Sequence, residues 1–351
     1  MYKRQAIVPV LPPDFESVRS QVTDLNELGH AVGFAEIDNS PAGYRAVHLD
    51  ITTGVYTVIE DASSFWGVNS LNQIAGQILS GEHYLPALWN GPSATPVQLP
   101  LPTGHTQGWA VAINDDGIIV GVSGDGALSS GSVVRRVFVD ENGQVSVDGP
   151  LTLPPLPGDV GAWGIDINEL VDGSCQMAGS SDAGGQVYEA VVWTVDVYPD
   201  GTLAPPGPPV GLGTLGLLEP TYSQASAIND LGDVCGISDR MAFAASAGGT
   251  AQPLPVPRNT QWGIATDVNN LGEIVGELDI YKTKGFITGP GNFHPYLWKD
   301  GEMIDLETQI DPDSGWDRLW AAHVINDAGV IAGRGRFDVE SRGFVLIPND
   351  E

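Results

Sequence analysis

A nine-residue motif that occurs seven times constrains this chain more than any other feature. Each copy carries an asparagine near its start and a glycine at its end. The asparagines are Asn26, Asn69, Asn114, Asn168, Asn229, Asn269 and Asn326. They lie 43, 45, 54, 61, 40 and 57 residues apart. These intervals are typical of a four-stranded propeller blade rather than of a helical or leucine-rich repeat.

Each copy is typical of a hairpin in which the asparagine begins the turn. Such turns need a positive φ, which glycine adopts without steric cost and asparagine tolerates next best. The glycines three residues after the motif asparagine are Gly29, Gly117, Gly232, Gly272 and Gly329. Asn72 takes this place in the second copy, and the fourth copy has four extra residues, which predicts a longer or bulged hairpin. We expect the glycine that ends each motif to allow close backbone packing between neighbouring units.

The strands around the motif complete the repeat. In WAVAIN, alternation places Trp109, Val111 and Ile113 on one face of a first strand, and two alanines on the other. A third strand with apolar residues and a weaker fourth strand follow most copies. Four strands per unit and no helical period predict an all-β propeller, with a parallel β-solenoid or two sandwiches as the alternatives.

The two ends of the chain predict how the ring closes. The last unit begins near Trp320 and lacks a fourth strand, whereas residues 6–12 resemble the fourth strands elsewhere. We therefore predict seven blades in one domain over residues 6–351, closed by the N-terminal strand. The opening MYKRQ resembles a translated sequencing adaptor, so residues 1–5 are excluded from the fold. That resemblance suggests a metagenomic reading frame without its natural N-terminus, and it is compatible with a lost export signal.

Composition narrows the classes of function. The chain has 15 basic and 44 acidic residues and a net charge of −29, which argues against nucleic acid and anionic membranes. Solubility is the favoured explanation of this negative charge, and cation binding is the alternative with a functional consequence. Cys175 and Cys235 are expected to pack as small apolar side chains, without a disulfide or a thiolate metal site. No apolar run is long enough to predict a membrane span, and we expect a monomer.

The motif A-x-x-I-N-D-x-G-x-x-x-G, followed by an aromatic third strand, resembles the HAF-type repeat of probable extracellular bacterial proteins. The resemblance covers nearly the whole chain, although the His-Ala-Phe triplet is degenerate: the segment from Arg240 keeps Ala-Phe, and that from Pro86 keeps Ala and Trp. It implies a repetitive β fold and an extracytoplasmic location. It implies no activity and no catalytic residues.

Few residues suggest chemistry. The sequence contains no G-x-S-x-G, H-E-x-x-H, P-loop or Rossmann motif. Asp311, Asp313 and Asp317 alternate around Gly315 and resemble a short calcium loop, with a polar loop between blades as the alternative. We expect no other cofactor. His105 and His323 lie near first strands and are candidates for one mouth of the channel.

Tryptophans offer a second type of site. They begin five of the first strands: Trp66, Trp109, Trp163, Trp262 and Trp320. Packing between blades is the favoured interpretation, and a stacking surface for sugars or protein is the alternative. Their distance from the asparagine varies between repeats, which keeps the alternative open.

Three functions follow as hypotheses. The favoured one is a non-catalytic extracytoplasmic binding or scaffold propeller, which contacts a protein or glycan at the cell surface through loops 122–133, 199–220 and 279–294. The second is a carbohydrate-active hydrolase or lyase, with Asp166, Asp267 and Glu219 as the first candidates for an acid/base pair at the channel mouth. The third is a structural cell-surface array protein.

Overall fold

The protein is an all-β molecule in the computed structural model. The structure describes residues 6–9, 19–36, 43–59, 62–126, 130–185, 187–218, 221–280 and 293–348. In these segments the one helix is a single 3₁₀ turn, Leu306–Gln309, whose first turn is capped by the Asp305 carboxylate. No helix among the described residues is long and apolar enough to cross a membrane.

The strands follow the sequence repeats. Before the first repeat lies β1 (Ala6–Pro9). The first repeat supplies β2 (Arg19–Leu25), β3 (His30–Glu36), β4 (Tyr44–Asp50) and β5 (Val55–Ile59). The second supplies β6 (Ala62–Val68), β7 (Gln73–Ser80), β8 (His83–Asn90) and β9 (Val97–Gln98). The third supplies β10 (Gln107–Ile113), β11 (Ile118–Gly124), β12 (Ser130–Val139) and β13 (Val145–Thr152).

The remaining repeats are built in the same way. The fourth repeat supplies β14 (Gly161–Ile167), β15 (Ser174–Gly184), β16 (Val187–Asp196) and β17 (Val210–Gly211). The fifth supplies β18 (Ser223–Ile228), β19 (Val234–Ser238), β20 (Met241–Ala245) and β21 (Gln252–Pro253). The sixth supplies β22 (Thr260–Val268), β23 (Ile274–Ile280), β24 (Phe293–Lys299) and β25 (Glu302–Asp305), and the last supplies β26 (Trp316–Ile325), β27 (Ile331–Phe337) and β28 (Glu340–Ile347).

Each repeat forms an antiparallel meander. Repeats two to six are separate four-stranded sheets in chain order. The first and last repeats belong to one eight-stranded sheet, in which β1 pairs antiparallel with β28 from Ala6–Ile347 to Pro9–Phe344. The link between β28 and β2 is a single parallel residue pair, Arg19 with Ser341. The first strand of every repeat contacts that of the next, and β26 contacts β2.

The motif turns have the predicted backbone. Positive φ occurs at Gly29, Gly117, Gly232, Gly272 and Gly329, with values from 72° to 83°. Asn72 takes the same conformation at 60°. In the longer fourth copy the turn moves to Asp172 and Gly173, at 52° and 85°. The prediction of a hairpin at each motif is confirmed.

The alternation predicted for the first strands is interrupted by a β-bulge. In all seven repeats the pairing of the first strand with the second skips one residue, three positions before the motif asparagine. The skipped residues are Thr23, Trp66, Val111, Ile165, Ser226, Thr266 and His323. An extra residue shifts the strand out of period two, so Trp109, Val111 and Ile113 do not share one face.

The closing glycines serve a contact within one sheet, which corrects the prediction that they pack between units. A Cβ at Gly179 would lie 1.9 Å from the carbonyl oxygen of Trp163 on the paired first strand. The equivalent distances at Gly33, Gly76, Gly121, Gly236, Gly276 and Gly333 lie between 2.0 and 2.6 Å. The bulge draws the two backbones together, and only glycine fits opposite it.

The core lies between adjacent repeats. Trp89 and Trp193, both on third strands, are fully buried. Trp193 packs with Ile118 and Val134 of the preceding repeat, and its indole N–H donates to the Pro154 carbonyl at 2.7 Å. Cys175 and Cys235 are buried in apolar clusters, which confirms that they pack as small apolar side chains. Each sheet therefore buries its apolar face against a neighbour.

Candidate functional site

A ring of hydrogen bonds joins the seven motif asparagines. The Nδ2 of each one donates to the backbone carbonyl of the asparagine in the next repeat, at 2.8 to 3.2 Å. The seventh, Asn326, donates to Asn26 and completes the cycle. The Oδ1 of each asparagine accepts a backbone N–H of its own turn, as Asn114 does from Ile118 at 2.9 Å. All seven side chains are buried, so the turns are held around a common axis.

The first strands enclose a cavity of about 640 Å³ beside this ring. All seven bulge residues line it. These positions carry different side chains in most repeats, so the wall of the cavity is irregular although the backbone repeats. The bulges therefore convert one repeated backbone into a surface of mixed chemistry.

Four aromatic side chains contribute to the wall of the cavity. Trp66, Trp109, Trp163 and Tyr188 line the cavity. Trp262 and Trp320 do not, and Trp262 packs edge-on against Phe293. All five tryptophans named from the sequence are half-buried, and the ring of Trp66 lies 6.3 Å from that of Phe34 in the preceding repeat. Trp66 therefore takes part both in the contact between neighbouring repeats and in the wall of the cavity.

Three aspartates lie deeper in the cavity, each directly after a bulge. Asp24 accepts the N–H groups of Leu25 and, in the next repeat, Val68, both at 2.8 Å. Asp267 accepts those of Val268 and Ile325 at 2.8 and 2.7 Å. Asp166 accepts that of Ile228 at 2.8 Å. We call Asp24, Asp166 and Asp267 the channel aspartates; each one links two repeats.

Burial raises the pKa of all three channel aspartates, because a carboxylate loses its hydration there. The pKa of Asp24 rises to about 6 and that of Asp166 to about 7, against an ordinary 3.8. The pKa of Asp267 is raised well above its ordinary value by burial and by the charge of Asp166. The backbone N–H bonds act in the opposite direction.

A second cavity of about 400 Å³ opens on the side of the motif turns and shares the channel aspartates with the first. Its rim carries the residues that follow the asparagines: Glu27, Ser70, Asp115, Glu169, Asp230, Asn270 and Asp327. Six of these accept the backbone N–H of the rim residue before them, as Asp230 does from Glu169 at 2.8 Å. Burial, followed by the charge of Asp115, raises the pKa of Glu169 to about 7.

No lysine or arginine lines either cavity in the part of the chain that the structure describes. The one basic side chain is His323, whose Nδ1 lies 2.7 Å from the carbonyl oxygen of Val22. Burial lowers the pKa of His323 to about 4, so the ring is neutral at pH 7. A neutral ring that donates through Nδ1 keeps Nε2 as an acceptor. His105, by contrast, hydrogen-bonds Ser123 and lines neither cavity.

The remaining candidates are not brought together. Asp317 pairs with Arg336 at 3.1 Å, and Asp311 accepts the N–H of Asp313. These three carboxylates are not among the described groups whose ligand atoms converge. Among the described residues, His294, Asp305 and Glu307 form a group whose possible metal-ligand atoms lie within 4.8 Å of one another. Of the proposed acid/base residues, Asp166 and Asp267 line the same cavity. Asp24 lines it as well and was not predicted from the sequence. Glu219 lies outside the described residues.

Comparison with known proteins defines the class. No family model and no curated protein matches the chain. The fold is similar to the β-propeller domain of the trilobed protease from Pyrococcus furiosus, with a TM-score of 0.54 at 9% identity over 95% of both chains. It is also similar to oligogalacturonate lyase from Vibrio parahaemolyticus, with a TM-score of 0.54 at 10% identity over 97% of this chain and 93% of that one. The chain is therefore a β-propeller.

A third similar structure is an oligogalacturonate lyase in complex with manganese, with a TM-score of 0.51 at 11% identity over 99% of this chain and 96% of that one. Identities near one in ten establish a common fold, and the chemistry of a propeller depends on the residues placed on it.

Proposed function

We propose that this protein is a non-catalytic binding propeller whose central channel takes a small organic cation with an apolar body. The observation that carries the proposal is the composition of the channel wall: among the described residues it has three tryptophans, three aspartates and no lysine or arginine. A cation over an indole face is attracted by the ring, and the attraction grows when water is excluded. The apolar part of the ligand would pack on the bulge residues Val111 and Ile165.

The channel aspartates supply the charge that the ligand would neutralise. A cation beside them favours their ionised form, so binding would release protons near pH 6 to 7. The affinity is therefore expected to rise as the pH increases from about 5 to about 8. An anionic ligand would be repelled by the negative charge of the ionised channel aspartates.

We also infer seven blades. The eight-stranded sheet joins through the single Arg19–Ser341 pair, which supports dividing it into a blade of β2 to β5 and a blade of β26 to β28 with β1. The N-terminal strand then closes the ring, as the sequence suggests. Residues 10–12 of the predicted closing segment lie outside the described residues.

Membership of the HAF-type repeat family and an extracytoplasmic location remain proposals that rest on the motif. A protein or glycan partner at the cell surface is likewise a proposal. The loops predicted to carry it include residues 127–129, 219–220 and 281–292, which the structure does not describe. The channel proposal does not depend on them.

A thermal-shift series tests the channel proposal, because a ligand that binds the native state raises the melting temperature. The probes are benzyltrimethylammonium, benzyl alcohol and benzoate, each with the intact chain. We expect stabilisation by the ammonium compound alone, and its loss in Trp109→Ala. Trp262→Ala is the matched control, since Trp262 lies outside the cavity.

Other outcomes would overturn parts of this proposal. Stabilisation by benzyl alcohol or by a neutral glycan, lost in Trp109→Ala, would keep the channel and reject the preference for a cation. Stabilisation that survives Trp109→Ala but not Trp262→Ala would move the site out of the channel. No stabilisation by any probe would reject small-ligand binding.

A carbohydrate-active enzyme is the second candidate. The raised pKa of Asp166, to about 7, in a cavity that also holds Asp267 is the observation that favours it. A protonated carboxyl group near neutral pH is suited to general acid catalysis. Oligosaccharide cleavage by the intact chain that disappears in Asp166→Asn would establish this function, and inactivity on neutral and acidic oligosaccharides would reject it.

A further inference from the structure

Three polar side chains of the first two repeats meet without hydrogen-bond partners. His48, on β4, is 4% exposed, and neither of its ring nitrogens has a partner. The Nδ1 of His30, on β3, and the Oδ1 of Asn72, in the turn before β7, are also buried and unpartnered. A buried polar atom without a partner costs about 1–3 kcal/mol, so several of them in one place need an explanation.

The three groups are close together. The rings of His30 and His48 are stacked with their centroids 5.2 Å apart and their planes at 24°. The side chain of Asn72 approaches His48 closely enough to interact with its ring, but without the alignment of a hydrogen bond. Two imidazoles that share one tetrahedral zinc ion at ~2.0–2.1 Å have ring centroids roughly 5 Å apart. The observed separation matches this distance, and the two rings would turn about their side-chain bonds until their lone pairs converge on the ion.

The chemistry of the donors suits a borderline transition metal. Asp50, which faces His48 electrostatically, already accepts hydrogen bonds from Thr52 and Thr53 and is no free ligand. Two imidazole nitrogens with one amide oxygen select zinc, nickel or copper over calcium and magnesium.

We infer that His30, His48 and Asn72 form a binding site for a divalent transition metal such as Zn²⁺ between the first and second repeats. The ion satisfies the unpartnered atoms and links the hairpin of β3 and β4 to the turn of the next repeat. His30 and Asn72 are partly exposed and provide the approach from solvent. Most other repeats have glycine where Asn72 stands, so the oxygen is specific to this site.

The test uses the intact chain, treated with a chelator and titrated with Zn²⁺, and with Co²⁺ for its absorption bands. We expect one equivalent to bind and to raise the melting temperature. Asn72→Gly removes the oxygen and keeps the turn, so it should weaken binding roughly tenfold or more while the fold is retained. His48→Phe keeps an aromatic ring beside His30 and should abolish binding; His30→Ala is the substitute if that variant does not fold.

The control is His294→Ala, which disrupts the cluster of His294, Asp305 and Glu307 and should leave the effect unchanged. Binding that is lost in His294→Ala but retained in Asn72→Gly and His48→Phe would assign the ion to that other cluster and overturn the inference. No stabilisation by Zn²⁺, and no Co²⁺ absorption bands, would also overturn it, because the unpartnered atoms would then be satisfied by water.

Discussion

At the scale of single residues, the motif asparagine has two roles that require both halves of its amide. Its Oδ1 accepts N–H groups of its own turn, as Asn26 does from Leu28 and His30, and its Nδ2 donates to the next repeat. Aspartate can accept but cannot donate when ionised, and serine is too short to do both. The turn role could be predicted from the motif. The link between repeats could not, because the partner carbonyl lies 40 to 61 residues further along the chain, or 300 at the closure.

Replacing one of these asparagines should destabilise the molecule. In Asn114→Ala the Asn168 carbonyl and the Ile118 N–H lose their partner inside the protein, at a cost of about 1–3 kcal/mol. Chemical denaturation measures the change in the free energy of unfolding. Asn142→Ala, in an exposed hairpin turn, is the control and should have little effect. Equal stability of both variants would contradict the linking role.

The channel aspartates should make stability depend on pH. The pKa of Asp166 is raised from 3.8 to about 7 in the folded protein, so the folded state binds more protons between these values than the unfolded state. Its contribution to stability is therefore complete at low pH and falls as the pH rises from about 4 to about 7. Asp166→Asn should gain stability relative to wild type over this interval, by up to ~1.4 kcal/mol per pH unit.

Denaturation curves at several pH values would show this divergence. The exposed Asp313→Asn should follow wild type throughout. Parallel curves for Asp166→Asn and wild type would mean that Asp166 keeps an ordinary pKa in the folded protein.

At the scale of elements, the first strand and its bulge decide what faces the channel. The sequence predicted the strand but not the bulge, since WAVAIN satisfies the period of two without interruption. The sequence feature that accompanies the bulge is the closing glycine of the second strand, because a side chain there would collide with the bulged first strand. The sequence predicts a contact of this glycine with the neighbouring unit, whereas its partner backbone lies in the same sheet.

Substitution of the turn glycine tests the cost of a positive φ by itself, because a side chain at this position would meet no steric clash. Gly272 has a φ of 74°, and a Cβ there would have no atom within 4 Å. Gly272→Val should therefore lose about 1–2 kcal/mol through the left-handed backbone alone. Gly272→Asn should lose less, because Asn72 already takes this conformation in the second repeat. Thermal unfolding compares the two variants, and a stable valine variant would refute the assignment of the turn.

At the scale of the whole molecule, the two ends of the chain lie in one sheet. β1 pairs with β28, and Asn326 reaches Asn26. The repeat count and the missing fourth strand of the last unit predicted this pairing. The lining of the channel could not be predicted, because its wall residues are contributed by all seven repeats.

Removing β1 tests the proposal that the N-terminal strand closes the ring. Deletion of residues 1–9 takes away the partner of Phe344–Ile347 and leaves β28 as an open edge. We expect the melting temperature to fall by several degrees and the protein to aggregate more readily. Deletion of residues 349–351 is the control, and equal melting temperatures for the two deletions would exclude a closing role for the strand.

The sequence by itself determined the repeat, its strands, its turn chemistry and the pairing of the chain ends. These properties depend on residues a few positions apart, whose conformational preferences are local and recur in seven copies. Only the tertiary structure decided which side chains meet: the bulge that directs His323 and Trp66 into one cavity, the three channel aspartates, and the unpartnered His30, His48 and Asn72. Those groups come from different strands or repeats, and their proximity arises from the packing of sheet against sheet, which no local pattern encodes.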